Sequence, residues 1–142
     1  MTPAIGMAAV SGSMGDLAFA VHGRVYAVRA DNSPPRSLGF LRGQVVAWSP
    51  NGRLLLVNEQ KADGQTSVSV LSADGRESSR ALGVGYAAPG AWSPDSQFIL
   101  YVTPSETAGE IHIVRSDGRD DRLLAEGRSP SWSPDGQRIA YS

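Results

Sequence analysis

One string is written three times in this chain. It reads Trp48-Ser49-Pro50-Asn51-Gly52, then Trp92-Ser93-Pro94-Asp95-Ser96, then Trp132-Ser133-Pro134-Asp135-Gly136. The tryptophans are 44 and 40 residues apart. Each string is a turn with a mechanism: Pro presets φ near −65° at the second position, Ser suits the first, and Gly, replaced by Ser96 in the second copy, suits the last. Each is followed by a short apolar run: Leu54–Val57, Phe98–Val102 and Ile139–Tyr141. A fourth, worn copy begins at Val10. Aligned without a gap, Val10 takes the Trp position, and Gly12 and Met14 stand where Pro and Gly should be.

Four strand signals recur in the same order in each repeat, here lettered A to D. Strand A ends at the Trp, as in Val45-Val46-Ala47-Trp48. Strand B follows the Ser-Pro turn and is apolar on consecutive positions, which means that both of its faces are covered. Strand C is fixed by its distance to a turn, since Val25, Val68 and Ile111 each lie six residues before Asp31, Asp74 and Asp117. Those aspartates open Asp31-Asn32, Asp74-Gly75 and Asp117-Gly118, hairpin turns in which Gly, or Asn in its place, accepts positive φ. Strand D is short and more polar: Arg36–Leu38, Arg80–Leu82 and Arg122–Leu124. The B-to-C connections differ most, with His22-Gly23 the tightest, 104–109 intermediate, and 58–66 long and polar. No ten-residue stretch carries helical apolar spacing. A period near 40 with four strands per unit predicts an all-β chain of propeller blades. The blades fall at about 8–44, 45–88 and 89–128, with a half-blade at 129–142.

Composition narrows the function. The net charge is −1, and the 13 Lys and Arg residues are scattered. Such a chain offers no basic face to nucleic acid or anionic lipid. It has no cysteine, hence no disulfide and no thiolate chemistry. No run reaches the roughly 20 apolar residues of a membrane helix. The first ten residues lack a basic n-region and lead straight into the first repeat, so they do not read as a signal peptide.

The Trp-Ser-Pro-Asp-Gly turns, strongest at Trp132–Tyr141 and Trp92–Tyr101, resemble the TolB-like propeller repeat, a relative of WD repeats. The resemblance runs from about Val10 to Ser142. It implies a ring of commonly six or seven blades, strand A lining a central channel, and an extracytoplasmic, often bacterial, setting. Three repeats and a half do not close such a ring. Either the chain is a piece of a longer propeller, or a second copy completes it, as a homodimer with six blades.

Candidate chemistry is sparse. His112 takes the strand C position that Tyr26 and Ser69 hold in the other repeats, which marks a packing position. His22 belongs to the tight hairpin. Ser49, Ser93 and Ser133 recur once per repeat beside Pro, as turn formers do and nucleophiles do not. Gly83-Val84-Gly85-Tyr86-Ala87-Ala88 matches a dinucleotide fingerprint in letters only, since Pro89-Gly90 and a strand follow where a helix N-terminus is needed. Asp117-Gly118-Arg119-Asp120-Asp121 is too short for a calcium loop. The chain is therefore expected to be no enzyme, with no cofactor and no metal.

A surface remains. In propeller rings, partners meet the channel mouth, where the D-to-A connectors converge. The next Trp comes ten residues after Leu38 and after Leu82, so counting back six places Arg42 level with Tyr86. The third connector is shorter and offers Glu126 or Arg128. Arg42, Tyr86 and Arg128 are the expected contacts for a protein or peptide partner. The alternative is that the chain belongs to a propeller that screens substrates for a prolyl-oligopeptidase-like or tricorn-type hydrolase.

Overall fold

A computed structural model describes residues 10–11, 16–29, 31–76 and 79–142. Among these every regular element is a strand. The first sheet holds β1 (Val10–Ser11), β2 (Asp16–Val21), β3 (Arg24–Arg29) and β4 (Arg36–Phe40), hydrogen-bonded in that order. The second repeats the plan with β5 (Gly43–Trp48), β6 (Leu54–Gln60), β7 (Thr66–Ser72) and β8 (Arg80–Val84). A third contains β9 (Phe98–Thr103), β10 (Glu110–Arg115) and β11 (Arg122–Glu126), and β12 (Ser131–Trp132) pairs with β13 (Ile139–Ala140). All pairings are antiparallel. The sheets do not close on one another.

Each Ser-Pro turn is locked in one way. Ser93 Oγ donates to Asp95 Oδ1 at 2.6 Å and accepts the Phe98 N–H at 2.9 Å, while the Gln97 N–H donates to Asp95 Oδ1 at 3.0 Å. Ser49 and Asn51, and Ser133 and Asp135, make the same three bonds. The serine hydroxyls are consumed by the turn, as their recurrence predicts. In the C-to-D turns Gly75 (φ 70°), Gly118 (φ 89°) and Asn32 (φ 65°) take the left-handed conformation. His22 (φ 47°) and Gly23 (φ 77°) both have positive φ, the signature of a two-residue type I′ hairpin.

The seams between sheets form the core. Ala18, Val25, Ala27 and Leu38 of the first sheet pack on Trp48, Leu55, Val57 and Leu71 of the second. Leu56, Val68, Val70 and Leu82 pack on Trp92, Ile99, Tyr101 and Val114. Leu100, Val102, Ile111 and Ile113 meet Trp132 and Ile139. The tryptophans join the seams by hydrogen bonds as well. Trp92 Nε1–H donates to the Ala47 carbonyl at 3.2 Å, and Trp132 Nε1–H to Ala91 at 3.1 Å, each reaching the residue before the preceding Trp.

Four details differ from expectation. The B-to-C connection of the second sheet is only 61–65, because Asn58–Gln60 stay paired with Val68–Thr66; polar side chains do not break a ladder whose backbone bonds are satisfied. The D strands run two residues further, to Phe40, Val84 and Glu126. Strand A of the third sheet shrinks to two bridges, Tyr86 opposite Val102 and Trp92 opposite Ile99, because a turn at Pro89-Gly90 loops out between them. The worn copy is shifted by one: Ser11, not Val10, stands opposite Leu17, as Trp48 stands opposite Leu55. Five residues separate Ser11 from Leu17, against six in the intact repeat, so an ungapped alignment slips. Gly12, Met14 and residues 1–9 lie outside the described residues.

Candidate functional site: the connector rim

Antiparallel connectivity sends the D-to-A connectors and the B-to-C hairpins to one end of the sheets, and the Ser-Pro and Asp-Gly turns to the other. The rim at the first end holds all three expected contact residues. Arg42 is exposed and lines a shallow cleft of about 400 Å³ with His22, Phe40, Gln60 and Lys61. Its carbonyl accepts the Gln60 N–H at 2.6 Å. Tyr86 is 43% exposed and joined through its backbone to Val102. Arg128 pairs by backbone with Ser142, and its Nε donates to the Ala108 carbonyl at 2.7 Å, which holds the side chain against the 104–109 loop.

The pairing corrects the equivalence drawn by counting. Tyr86 stands opposite Val102, Arg128 opposite Ser142, and Gln44 opposite Asn58, which are matching strand B positions. Gln44 is therefore the counterpart of Tyr86 and Arg128, and Arg42 sits two residues earlier. A glycine precedes each of the three. Gly43, Gly85 and Gly127 have φ of 157°, 146° and 154°. A Cβ there would lie 1.8 Å from the Asn58 carbonyl oxygen, 2.2 Å from that of Val102 and 2.8 Å from that of Ser142. These glycines were the sequence signal for the register. Beside them, Asn58 grips the looped-out segment: its Nδ2 donates to the Ala87 carbonyl and its Oδ1 accepts the Ala87 N–H, both at 2.8 Å.

Sequence reasoning missed an aromatic on this rim. Phe40, at the end of β4, is 71% exposed, and the Arg24 guanidinium lies over its ring at 4.3 Å. Val84 is exposed at the equivalent place on β8, next to Tyr86. Glu126, also exposed, occupies that place on β11. Lys61 is paired with Glu59 at 3.0 Å. Arg24, Arg42 and Phe40 thus put cations and an exposed ring side by side.

His112 lies elsewhere, in the seam between the second and third sheets. Its ring stacks on Tyr101 with centroids 5.1 Å apart, and its Nδ1 is 3.1 Å from Asp121 Oδ1. The Tyr101 hydroxyl also bonds Asp121, and burial, aided by that carboxylate, pushes its ionisation well up. Tyr101 fits because Gly83 has no side chain: a Cβ there would come within 2.5 Å of the tyrosine oxygen. Asp121 is used in this cluster, and Asp117 Oδ1 accepts the Arg119 N–H at 3.0 Å. Among the described residues no cluster of His, Asp and Glu has the arrangement to hold a metal ion. Gly83–Ala88 runs from the end of β8 through the Tyr86 bridge into the looped-out segment.

Solved structures place this architecture. A TolB-type protein from Agrobacterium tumefaciens superposes with a TM-score of 0.73 over 95% of this chain, at 21% identity. The fold is that of a TolB-like β-propeller. A chain of the nidogen/laminin complex matches with a TM-score of 0.64 over 95% of this chain, at 12% identity. The β-propeller domain of the trilobed protease from Pyrococcus furiosus matches at 0.63 over 89%, at 13% identity. The chain spans 52%, 55% and 45% of these three, about half the length of each. No family model and no curated protein matches the sequence.

Proposed function

We propose that this propeller segment is a non-catalytic interaction module whose connector rim binds a protein or peptide partner. The observation that carries the reading is the rim itself: exposed Phe40 and Tyr86 stand with Arg24, Arg42 and Arg128 at one end of the sheets. Aromatic and arginine side chains are the types enriched in binding hot spots. The partner that suits them is a segment with an apolar side chain next to a carboxylate. We also propose an extracytoplasmic setting for the module, a reading that the TolB-like fold supports.

Selection of a displayed random-peptide library on the chain tests this. Enriched peptides should converge on an apolar–acidic pattern. Their binding should weaken about tenfold or more with Phe40→Ala or Tyr86→Ala, a loss of about 1.4 kcal/mol, and stay within about twofold with His112→Ala. Equal losses in all three variants would place binding elsewhere.

A second reading draws on the likeness to the protease propeller of Pyrococcus furiosus. In it the same segment belongs to a ring that screens substrates for a larger peptidase. It differs in its ligand: the rim would then take unfolded polypeptide without sequence preference, and the selection would not converge.

A further inference from the structure

At the end opposite the rim, the seam between the first and second sheets opens into a cleft of about 1110 Å³. Arg29 and Arg36 of the first sheet line it, with Arg53 and Arg76 from the turns of the second. Its two carboxylates are Asp16 and Asp74. These arginines are scattered in the sequence, and the packing of one sheet on the next gathers them.

Both carboxylates are already engaged. Asp16 Oδ2 accepts the Arg36 Nη2–H at 2.8 Å, and its Oδ1 lies 3.4 Å from Arg29 Nε. Asp74 Oδ1 accepts the Ser72 hydroxyl at 2.7 Å and the Arg76 N–H at 3.0 Å. Arg36 is fixed across the seam, because its Nε and Nη2 also donate to the Ala73 carbonyl at 3.1 and 3.0 Å. Its Nη1 bonds nothing among the described residues. Arg53 and Arg76 are exposed, and neither guanidinium has a hydrogen bond or ion pair among the described residues.

The second seam has the same backbone and different side chains. The Ala73 N–H donates to the Arg53 carbonyl as the Ser116 N–H does to Gln97, both at 2.9 Å. Gln97 and Gln137 hold the place of Arg53 in the other two turns. Asp16 faces Arg29 across β2 and β3, where the second sheet pairs Leu54 with Ser72 and the third pairs Phe98 with Arg115. Arg36 and Arg76 recur as Arg80 and Arg119. The repeat therefore accounts for Arg36 and Arg76, whereas Arg29 and Arg53 are additions at the first seam.

We infer that this cleft binds a small molecule with at least two negative charges on oxyanion groups, a phosphate ester or a polycarboxylate. Guanidinium forks match the oxygens of both groups. Four cations against two engaged carboxylates leave a surplus of two charges for the ligand. Arg36 Nη1 offers donors already fixed in place, and Arg29, Arg53 and Arg76 supply charge from both walls. The site goes beyond the rim reading and does not depend on it, since it lies at the other end of the sheets.

Inorganic pyrophosphate and citrate are the probes, each titrated into the full chain at fixed ionic strength with amide NMR shifts as the readout. Saturable shifts should centre on residues 29, 36, 53 and 76, and the affinity should fall as salt is raised. Saturation by either probe supports the site, and the tighter of the two tells a phosphate source from a carboxylate one. Arg53→Gln installs the residue of the two sister turns, so it should keep the unfolding midpoint while weakening binding about tenfold. Arg119→Gln, at the counterpart of Arg76 in the second seam, should change binding by less than about twofold. No saturation with either probe below about 10 mM would overturn the inference. So would shifts spread evenly over Arg119 and the other exposed arginines, or equal losses in the two variants.

Discussion

At the scale of single residues, the serine of each turn does the most for its size. Ser93 is buried, and its hydroxyl is the partner of the Phe98 N–H. Ser93→Ala leaves that donor unsatisfied and should cost about 1–3 kcal/mol in urea denaturation. Ser133→Ala removes the same bonds at a more open site, where water replaces them, and should cost less. The bond that the same hydroxyl donates to Asp95 sets a pH dependence. The Ser93 hydroxyl, then the Gln97 N–H, hold the Asp95 carboxyl below its ordinary 3.8. Asp31, Asp74 and Asp135 are lowered likewise, each first by a serine hydroxyl. A carboxyl lowered in the folded state contributes stability that is full above the unfolded value and fades as pH falls through the folded one. Denaturation midpoints should therefore hold steady at neutral pH and drop below about pH 4. Solvent screening keeps each increment small, and Ser93→Ala should make the drop shallower. The role of these serines was legible because a turn former recurs with its repeat.

At the scale of elements, the strands were legible and their register was not. Trp92 marks the end of strand A and is buried in its seam. Trp92→Ala should cost about 3–5 kcal/mol by chemical denaturation, and a loss below about 1 kcal/mol would mean the ring contributes little to the seam. Counting back from that Trp went astray, however, because Ala87–Gly90 loop out and lengthen the connector. The looping rests on a side chain from another sheet, Asn58, which no local pattern reveals. Gly43, Gly85 and Gly127 mark the register through a close approach of two backbones, so their meaning appears only in three dimensions. Gly85→Ala meets the Val102 carbonyl and a left-handed φ together, and should lose about 1–3 kcal/mol from the backbone strain alone. Gly64→Ala makes the control, with φ of 84° but nothing within 4 Å, and should lose less. Equal losses would show that the carbonyl contact is relieved by a small shift of strand.

At the scale of the whole molecule, stability should be graded along the chain, because each sheet is covered by its neighbours and the outermost surfaces are covered least. Strands β6, β7, β9 and β10 are paired on both edges or packed on both faces, and their amides should exchange slowest. β4 and β8 form the outer strands of the first two sheets, with Leu38 and Leu82 sealed beneath the next sheet. β11 has the same place in its own sheet without that cover. Covering a leucine is worth about 1.5–3 kcal/mol, and each 1.4 kcal/mol is a factor of ten. The amides of β11 should exchange about 10–100-fold faster than those of β8. Hydrogen exchange read by mass spectrometry would follow both strands in one experiment. If β11 were as protected as β8, the 40% exposure of Leu124 would not govern its stability, and sheet pairing alone would set the order.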